Sequence, residues 1–236
     1  MKLAISSSAF ARALGSGDLT QLEFLETAAR EIGSDGVVLD DRHFPRTDDD
    51  YLAQVKKTAA DTGLTIAALA SDAFFTADRA AMQAAVERAV AVGAPLLSGR
   101  LGDETALSWS EQLAKLGVAV SLAKSANVTL ALRNAAGTFA STSHDCKRVT
   151  KETDSAWLRY GLEPALFDAA SDPLALAPKV VLLWWDAYAR AQLAGWEHFR
   201  GFAALDRIEG DATVPQMCDA LSRWRIARHE FELNRT

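Results

Sequence analysis

At 236 residues, with 49% apolar and 24% charged side chains, the chain has the size and composition of a globular domain, not of a disordered or fibrous protein. Its 25 Lys and Arg against 31 Asp and Glu give a net charge of −6, and without a basic stripe it is poorly suited to gripping nucleic-acid backbones. No stretch is long and apolar enough to span a bilayer, and Ser6, Ser7 and Ser8 cut the run Met1-Lys2-Leu3-Ala4-Ile5 short of a signal-peptide core.

Strands and helices are expected to alternate. The strand candidates are Leu3 to Ser6, Val37 to Asp40, Thr65 to Ala70, Pro95 to Ser98, Val128 to Arg133, Arg159 to Glu163, Val180 to Trp185 and Ile226 to Glu232. Capping boxes mark helix starts at Thr20/Glu23, Thr47/Asp50 and Ser108/Glu111. After the first of these, Leu22, Leu25, Ala29 and Ile32 repeat at helical spacing. Gly33, Gly63 and Gly93 then fall thirty residues apart, each closing a helical stretch, with Asn127 as a fourth beat. These residue types suit the left-handed position just past a helix end. Parallel strands need helical crossovers, so eight such units in one domain, residues 1–236, predict a closed parallel (β/α)8 TIM barrel. An open doubly wound sheet is the alternative, but no G-x-G-x-x-G follows the first strand.

If the eighth strand ends near Leu233, only Asn234, Arg235 and Thr236 follow, too few for a final helix. The outer side of strands eight and one would then need other cover. A homodimer contact is expected there, with the stretch Trp184 to Phe202 folding back as the rival. Cys146 and Cys218 have neither metal-ligand spacing nor framework partners, and read as buried or half-buried thiols of a cytoplasmic protein.

Chemistry in such a barrel belongs at the C-terminal ends of the strands, and here those ends are polar. They carry Asp40-Asp41-Arg42-His43, Ser71-Asp72, Gly99-Arg100, Arg133-Asn134 and Glu163-Pro164, and then His229, Glu230 and Glu232. Alternation along strands turns Arg133, Glu163, Glu230 and Glu232 inward, so that an arginine and carboxylates converge at the barrel mouth. His43 and Arg100 are candidates to grip a phosphate or carboxylate, while Arg42 and Arg46 read as solvated loop residues. His144 and His198 read as structural or exposed. Trp184, Trp185, Tyr188, Trp196, Phe199 and Phe202 read as core or as a wall of a ligand pocket, as do Phe74 and Phe75.

The runs Gly36-Val-Val-Leu-Asp-Asp-Arg-His-Phe44, Leu130-Ala-Leu-Arg-Asn134 with Gly137-Thr-Phe-Ala-Ser-Thr142, and Arg207-Ile-Glu-Gly-Asp-Ala-Thr-Val-Pro215 resemble the xylose isomerase-like TIM barrels, which include sugar phosphate isomerases and epimerases. That resemblance implies a divalent metal held by a Glu, an Asp, a His and a Glu on strands five to eight, and proton transfer beside a sugar carbonyl. The chain departs from the pattern. Arg133 stands where the family has the strand-five Glu, Glu163 stands for the strand-six Asp with Asp168 as its rival, and Trp184 stands for the strand-seven His. Glu230 matches its counterpart.

A guanidinium repels a cation, so neither metal nor cofactor is expected. Arg133, Glu163 and Glu230 are the candidate catalytic residues, and His43, Arg100, Asn134, Trp184 and Glu232 the candidate substrate-binding ones. Two functions follow. One is a metal-independent isomerase or epimerase of a sugar, sugar acid or sugar phosphate. The other is a non-catalytic relative that binds a small anionic metabolite, with the charges filling a dead metal site. An endonuclease is disfavoured, since four histidines are too few for a multi-zinc centre.

Overall fold

The structure, a computed structural model, describes residues 1–186, 195, 196, 198–207 and 212–233. Its strands are β1 (Lys2–Ser6), β2 (Gly36–Asp40), β3 (Thr65–Ala70), β4 (Leu96–Arg100), β5 (Thr129–Arg133), β6 (Leu158–Leu162), β7 (Val180–Asp186) and β8 (Phe202–Arg207). They follow one another in hydrogen-bonding order, and β8 returns in parallel to β1, so the sheet closes as the expected barrel. The α-helices are α1 (Ala11–Ser16), α2 (Gln21–Arg30), α3 (Asp49–Asp61), α4 (Arg79–Val92), α5 (Trp109–Ala126), α6 (Ser143–Thr153) and α7 (Val214–Leu233). By internal contacts the chain forms two compact units, residues 1–67 with 184–236 and residues 68–183, with boundaries inside β3 and β7.

In the first unit, Thr20 and Glu23 form the expected capping box of α2. The buried stripe of that helix differs from the expected one: Gln21, Phe24, Leu25 and Ala28 face inward, which places a polar side chain at a core position. Helix α3 starts one residue later than its sequence signal, because Asp48, not Thr47, accepts the Tyr51 N–H. Gly33, Gly63 and Gly93 all have the positive φ that their position requires (72°, 76° and 78°).

The eighth strand is a correction. Ile226 to Glu232 lies inside α7, and β8 is the short run Phe202–Arg207, paired Leu3↔Ala203 and Ile5↔Leu205 with β1. The physical reason is helical periodicity, since Met217, Ala220, Leu221, Trp224 and Ala227 are the buried positions, while Ile226 is 57% exposed. Thr213 and Gln216 exchange capping hydrogen bonds at the start of this helix. The final helix thus exists. It lays Trp224 on Trp185 with ring centroids 4.4 Å apart, and with Leu3, Ala203, Leu205 and Leu221 these rings close to a gap of about 10 Å³. The uncovered face that motivated a homodimer is therefore filled from within the chain.

In the second unit, α5 has its Ser108/Glu111 capping box, and α6 has one that the sequence reading missed, Thr142/Asp145. Asn127 closes α5 with φ 57°, as expected, and Asp154 continues the beat after α6 with φ 42°. The Tyr160 hydroxyl lies 2.6 Å from Thr150 Oγ1 and donates to the Cys146 carbonyl, so this residue of β6 faces α6. By alternation the chain just beyond β6 turns its odd-numbered side chains to the barrel interior. Cys146 is buried and its thiol is pushed up to about 12 by that burial, while Cys218 is half-buried; both are free thiols. Among the described residues no helix is long and apolar enough to cross a membrane.

Candidate functional site

In the second unit, Arg133 ends β5 and Glu163 follows β6, each 4% exposed. Arg133 Nη2 and Nε donate to Glu163 Oε2 at 2.6 and 3.1 Å. Between these two elements Asn134 acts as a clamp: its Nδ2 donates to the Glu163 carbonyl (3.1 Å) and its Oδ1 accepts the Glu163 N–H (2.8 Å). Asn134, expected to contact substrate, thus spends its amide on the backbone of Glu163 and acts by positioning that residue. Arg100 is the in-register partner of Arg133 across β4 and β5, so both side chains leave the same face of the sheet. Arg100 is half-buried and sits 3.6 Å from Asp72. Two guanidiniums on neighbouring strands, each beside a carboxylate, make a site suited to oxyanions.

In the first unit a second polar cluster gathers at the ends of β1, β2 and β8. Asp40, 3% exposed, accepts from the Arg42 N–H (3.0 Å), the Arg42 side chain and Ser8 Oγ (2.9 Å). Burial pushes its carboxyl up, but the Arg42 hydrogen bonds and charge and the Ser8 hydroxyl outweigh this and hold it below the usual carboxylate value. Ser7 Oγ accepts the Asp40 N–H (2.9 Å) and lies 3.0 Å from His43 Nδ1. His43 is lowered from the ordinary imidazole value, first by its burial and also by Arg42, against the opposing charges of Asp40, Asp41 and Asp206.

A histidine depressed on folding binds fewer protons than the unfolded chain. Its contribution to stability is present above about pH 6.5 and is lost as the pH falls through the folded value. Denaturant unfolding at a series of pH values should therefore show wild type losing stability relative to His43→Asn below pH ~6.5. Parallel curves would show that His43 is not held neutral.

Trp184 is 1% exposed and lies next in β7 to Trp185, which packs on α7; Trp184 therefore points to the opposite, interior side. Glu230 is an exposed residue of α7, and Glu232 belongs to the same helix, with its side chain outside the described residues. Both therefore lie on a helix and not on the eighth strand as expected. The carboxylate near the C-terminal end of β8 is instead Asp206, 7% exposed, two residues beyond the inward-facing Ala204. Missing it followed from the misplaced eighth strand, whereas Asp40 was legible as the last residue of β2. Asp168 is exposed and Glu163 buried, which favours Glu163 as the strand-six acid. Arg42 and Arg46 are exposed, paired with Asp40 and Asp48, as are His144 and His198. Phe74, Phe75, Trp185 and Trp196 are buried, while Tyr188 and residues 208–211 of the third family-like run lie outside the described residues.

A divalent cation requires carboxylate, carbonyl or imidazole donors. At the strand-five position a guanidinium takes the neighbouring carboxylate for itself, and the strand-seven position holds an indole, so these residues do not fit a metal. Among the described residues no three His, Cys, Asp or Glu group as ligands.

The family model described as xylose isomerase-like TIM barrel matches residues 27–195, and the chain belongs to that family. Among solved structures it is similar to a D-tagatose 3-epimerase-like protein (12% identity, TM-score 0.77, all of both chains covered). It is also similar to D-psicose 3-epimerase from Clostridium cellulolyticum H10 (14%, 0.74, covering 97% of this chain and 99% of the other). A third is the 3-keto-D-glucoside 4-epimerase YcjR from E. coli (15%, 0.72, 96% and 99%). At these identities the likeness establishes the fold. No curated protein sequence matches the chain.

Proposed function

We propose that the protein is a sugar or sugar-acid isomerase or epimerase that works without a divalent metal. The observation that carries this reading is the buried Arg133–Glu163 pair at the C-terminal ends of β5 and β6, the end of such barrels where chemistry occurs. The epimerases among the structural relatives support the substrate class. Arg133 donates to the sugar carbonyl and stabilises the oxyanion of the enediolate, while Glu163 carries the proton between neighbouring carbons. Substrate binding has to draw the guanidinium from the carboxylate to the carbonyl oxygen, freeing Glu163 as the base at the moment the oxyanion forms. Arg100 supplies a second cation for a carboxylate or phosphate on the substrate.

A non-catalytic binder of a small anionic metabolite is the second reading, favoured by the same closed ion pair, which already satisfies the carboxylate. Incubating aldoses, ketoses and sugar acids with the protein in D2O separates the two. Exchange of a carbon-bound proton, lost in Glu163→Gln and unaffected by added Mn²⁺, is the expected result. Binding of a sugar acid with no exchange in any of them leaves the binder.

A further inference from the structure

In the second unit the crossovers from β3 to β4, β4 to β5 and β5 to β6 are made by α4, α5 and α6. Among the described residues the crossover from β6 to β7 contains no α-helix and runs through two 3-10 turns, Pro164–Leu166 and Pro173–Lys179. Turns of this length cover less of a strand's outer side than a full helix does. The room left beside α6 is an open cavity of about 460 Å³. Tyr160 and Thr150 form its buried floor, and their hydroxyls already bond one another and the Cys146 carbonyl. Recognition there falls to the exposed side chains around the rim.

That rim is positively charged. Lys147 and Lys151 stand one turn apart on α6, and Lys179 ends the second 3-10 turn, all three exposed and lining the cavity. Three of the eight lysines of a chain with net charge −6 thus gather at one place, and like charges four residues apart do not help a helix. Among the described residues no carboxylate forms an ion pair with any of the three. Glu152, next to Lys151, is held by Arg148 and the Trp109 indole, and Asp172 by the N–H groups of Leu174 and Ala175. By contrast, Lys57 pairs with Asp61, and Lys115 donates to the Thr76 and Ala77 carbonyls. Asp154 is the one acid of the lining, which leaves two positive charges in excess.

We propose that this cavity binds a soluble phosphate monoester, its phosphoryl group held among Lys147, Lys151 and Lys179 and its organic part resting on the exposed Ala175 and Pro178. A phosphate monoester carries about two negative charges at pH 7, matching the excess, and three acceptor oxygens for three ammoniums. Lysines act as point charges on flexible stems, whereas a lone carboxylate is better gripped by the planar fork of an arginine and would leave one charge unmatched. The site lies on the outer side of β6, to which Tyr160 faces, and is distinct from the interior pair Arg133 and Glu163.

The test titrates the full-length ¹⁵N-labelled protein with phenyl phosphate at low ionic strength, where exposed charges are least screened. Phenyl sulfate, similar in shape but with one charge, is the comparison. Saturable shifts of the Thr150, Lys151 and Lys179 backbone amides are expected, with affinity at least about tenfold above that for phenyl sulfate. Lys147→Gln combined with Lys179→Gln should weaken binding by about tenfold or more while leaving Tm unchanged, because both side chains are exposed. Lys179→Arg, which keeps the charge, should retain it. Arg100→Met should leave these shifts in place, which separates them from an anion taken up at the strand ends. The proposal is overturned if these amides do not respond, if phenyl sulfate binds as well, if the double lysine variant binds unchanged, or if the shifts vanish in Arg100→Met. Binding to phosphatidic acid vesicles without a response to phenyl phosphate also overturns it, since the lysines would then serve a lipid surface.

Discussion

Replacing Arg133 by methionine is expected to destabilise the protein by about 3–5 kcal/mol at neutral pH, the usual cost of stripping a buried charge of its partner. Glu163 is 4% exposed and receives two guanidinium hydrogen bonds, so its carboxylate would remain buried with that compensation gone. Arg133→Met combined with Glu163→Leu should recover most of the loss, since two apolar side chains of similar volume replace the pair. Urea unfolding of the three proteins at neutral pH measures this. A single variant as stable as wild type would mean that the pair contributes nothing to the fold. This result bears on function as well, since a costly ion pair left at the strand ends is what catalysis or ligand binding would retain.

Trp224→Ala is expected to cost a comparable ~3–5 kcal/mol, through lost burial and an unfilled cavity. The indole is 6% exposed, lies against Trp185, and helps to close the outer face of β1 and β8 under α7. Because the surrounding rings and leucines leave a gap of only about 10 Å³, little slack exists before the substitution, and the void it creates would be new. If α7 were dispensable cover, as a barrel closed by a second subunit would imply, the change would cost under about 1 kcal/mol. Thermal melts across a protein concentration series separate these cases, since only a subunit-closed barrel would melt in a concentration-dependent way.

The repeating unit and several contacts were legible in the residues because they depend on near neighbours. The thirty-residue beat of Gly33, Gly63 and Gly93 is a local backbone requirement, and so is the left-handed Asn127. Thr20/Glu23 and Ser108/Glu111 satisfy helix ends across three residues. The strand alternation that turned Arg133 and Glu163 inward also holds, since period two needs no knowledge of the partner strands. The segment 202–233 was not legible in this way. Phe202-Ala-Ala-Leu is too short to announce a strand, and the helix of Met217, Leu221 and Trp224 carries enough exposed and basic residues to blur its stripe.

By itself, then, the sequence determined the barrel class and the inward turn of Arg133 at the end of β5. Both are written in short-range periodicity and residue chemistry. Tertiary structure alone decided that β8 returns to β1 at Phe202–Arg207, that Asp206 and not Glu230 is the carboxylate near its end, and that Asn134 holds the backbone of Glu163. It also decided that Gln21 occupies a buried position with its amide unmatched. Each of these depends on which atoms distant in sequence come within hydrogen-bond or packing distance. Such closeness is set when apolar faces pack and polar groups lose water together, and no local pattern records which partners they find.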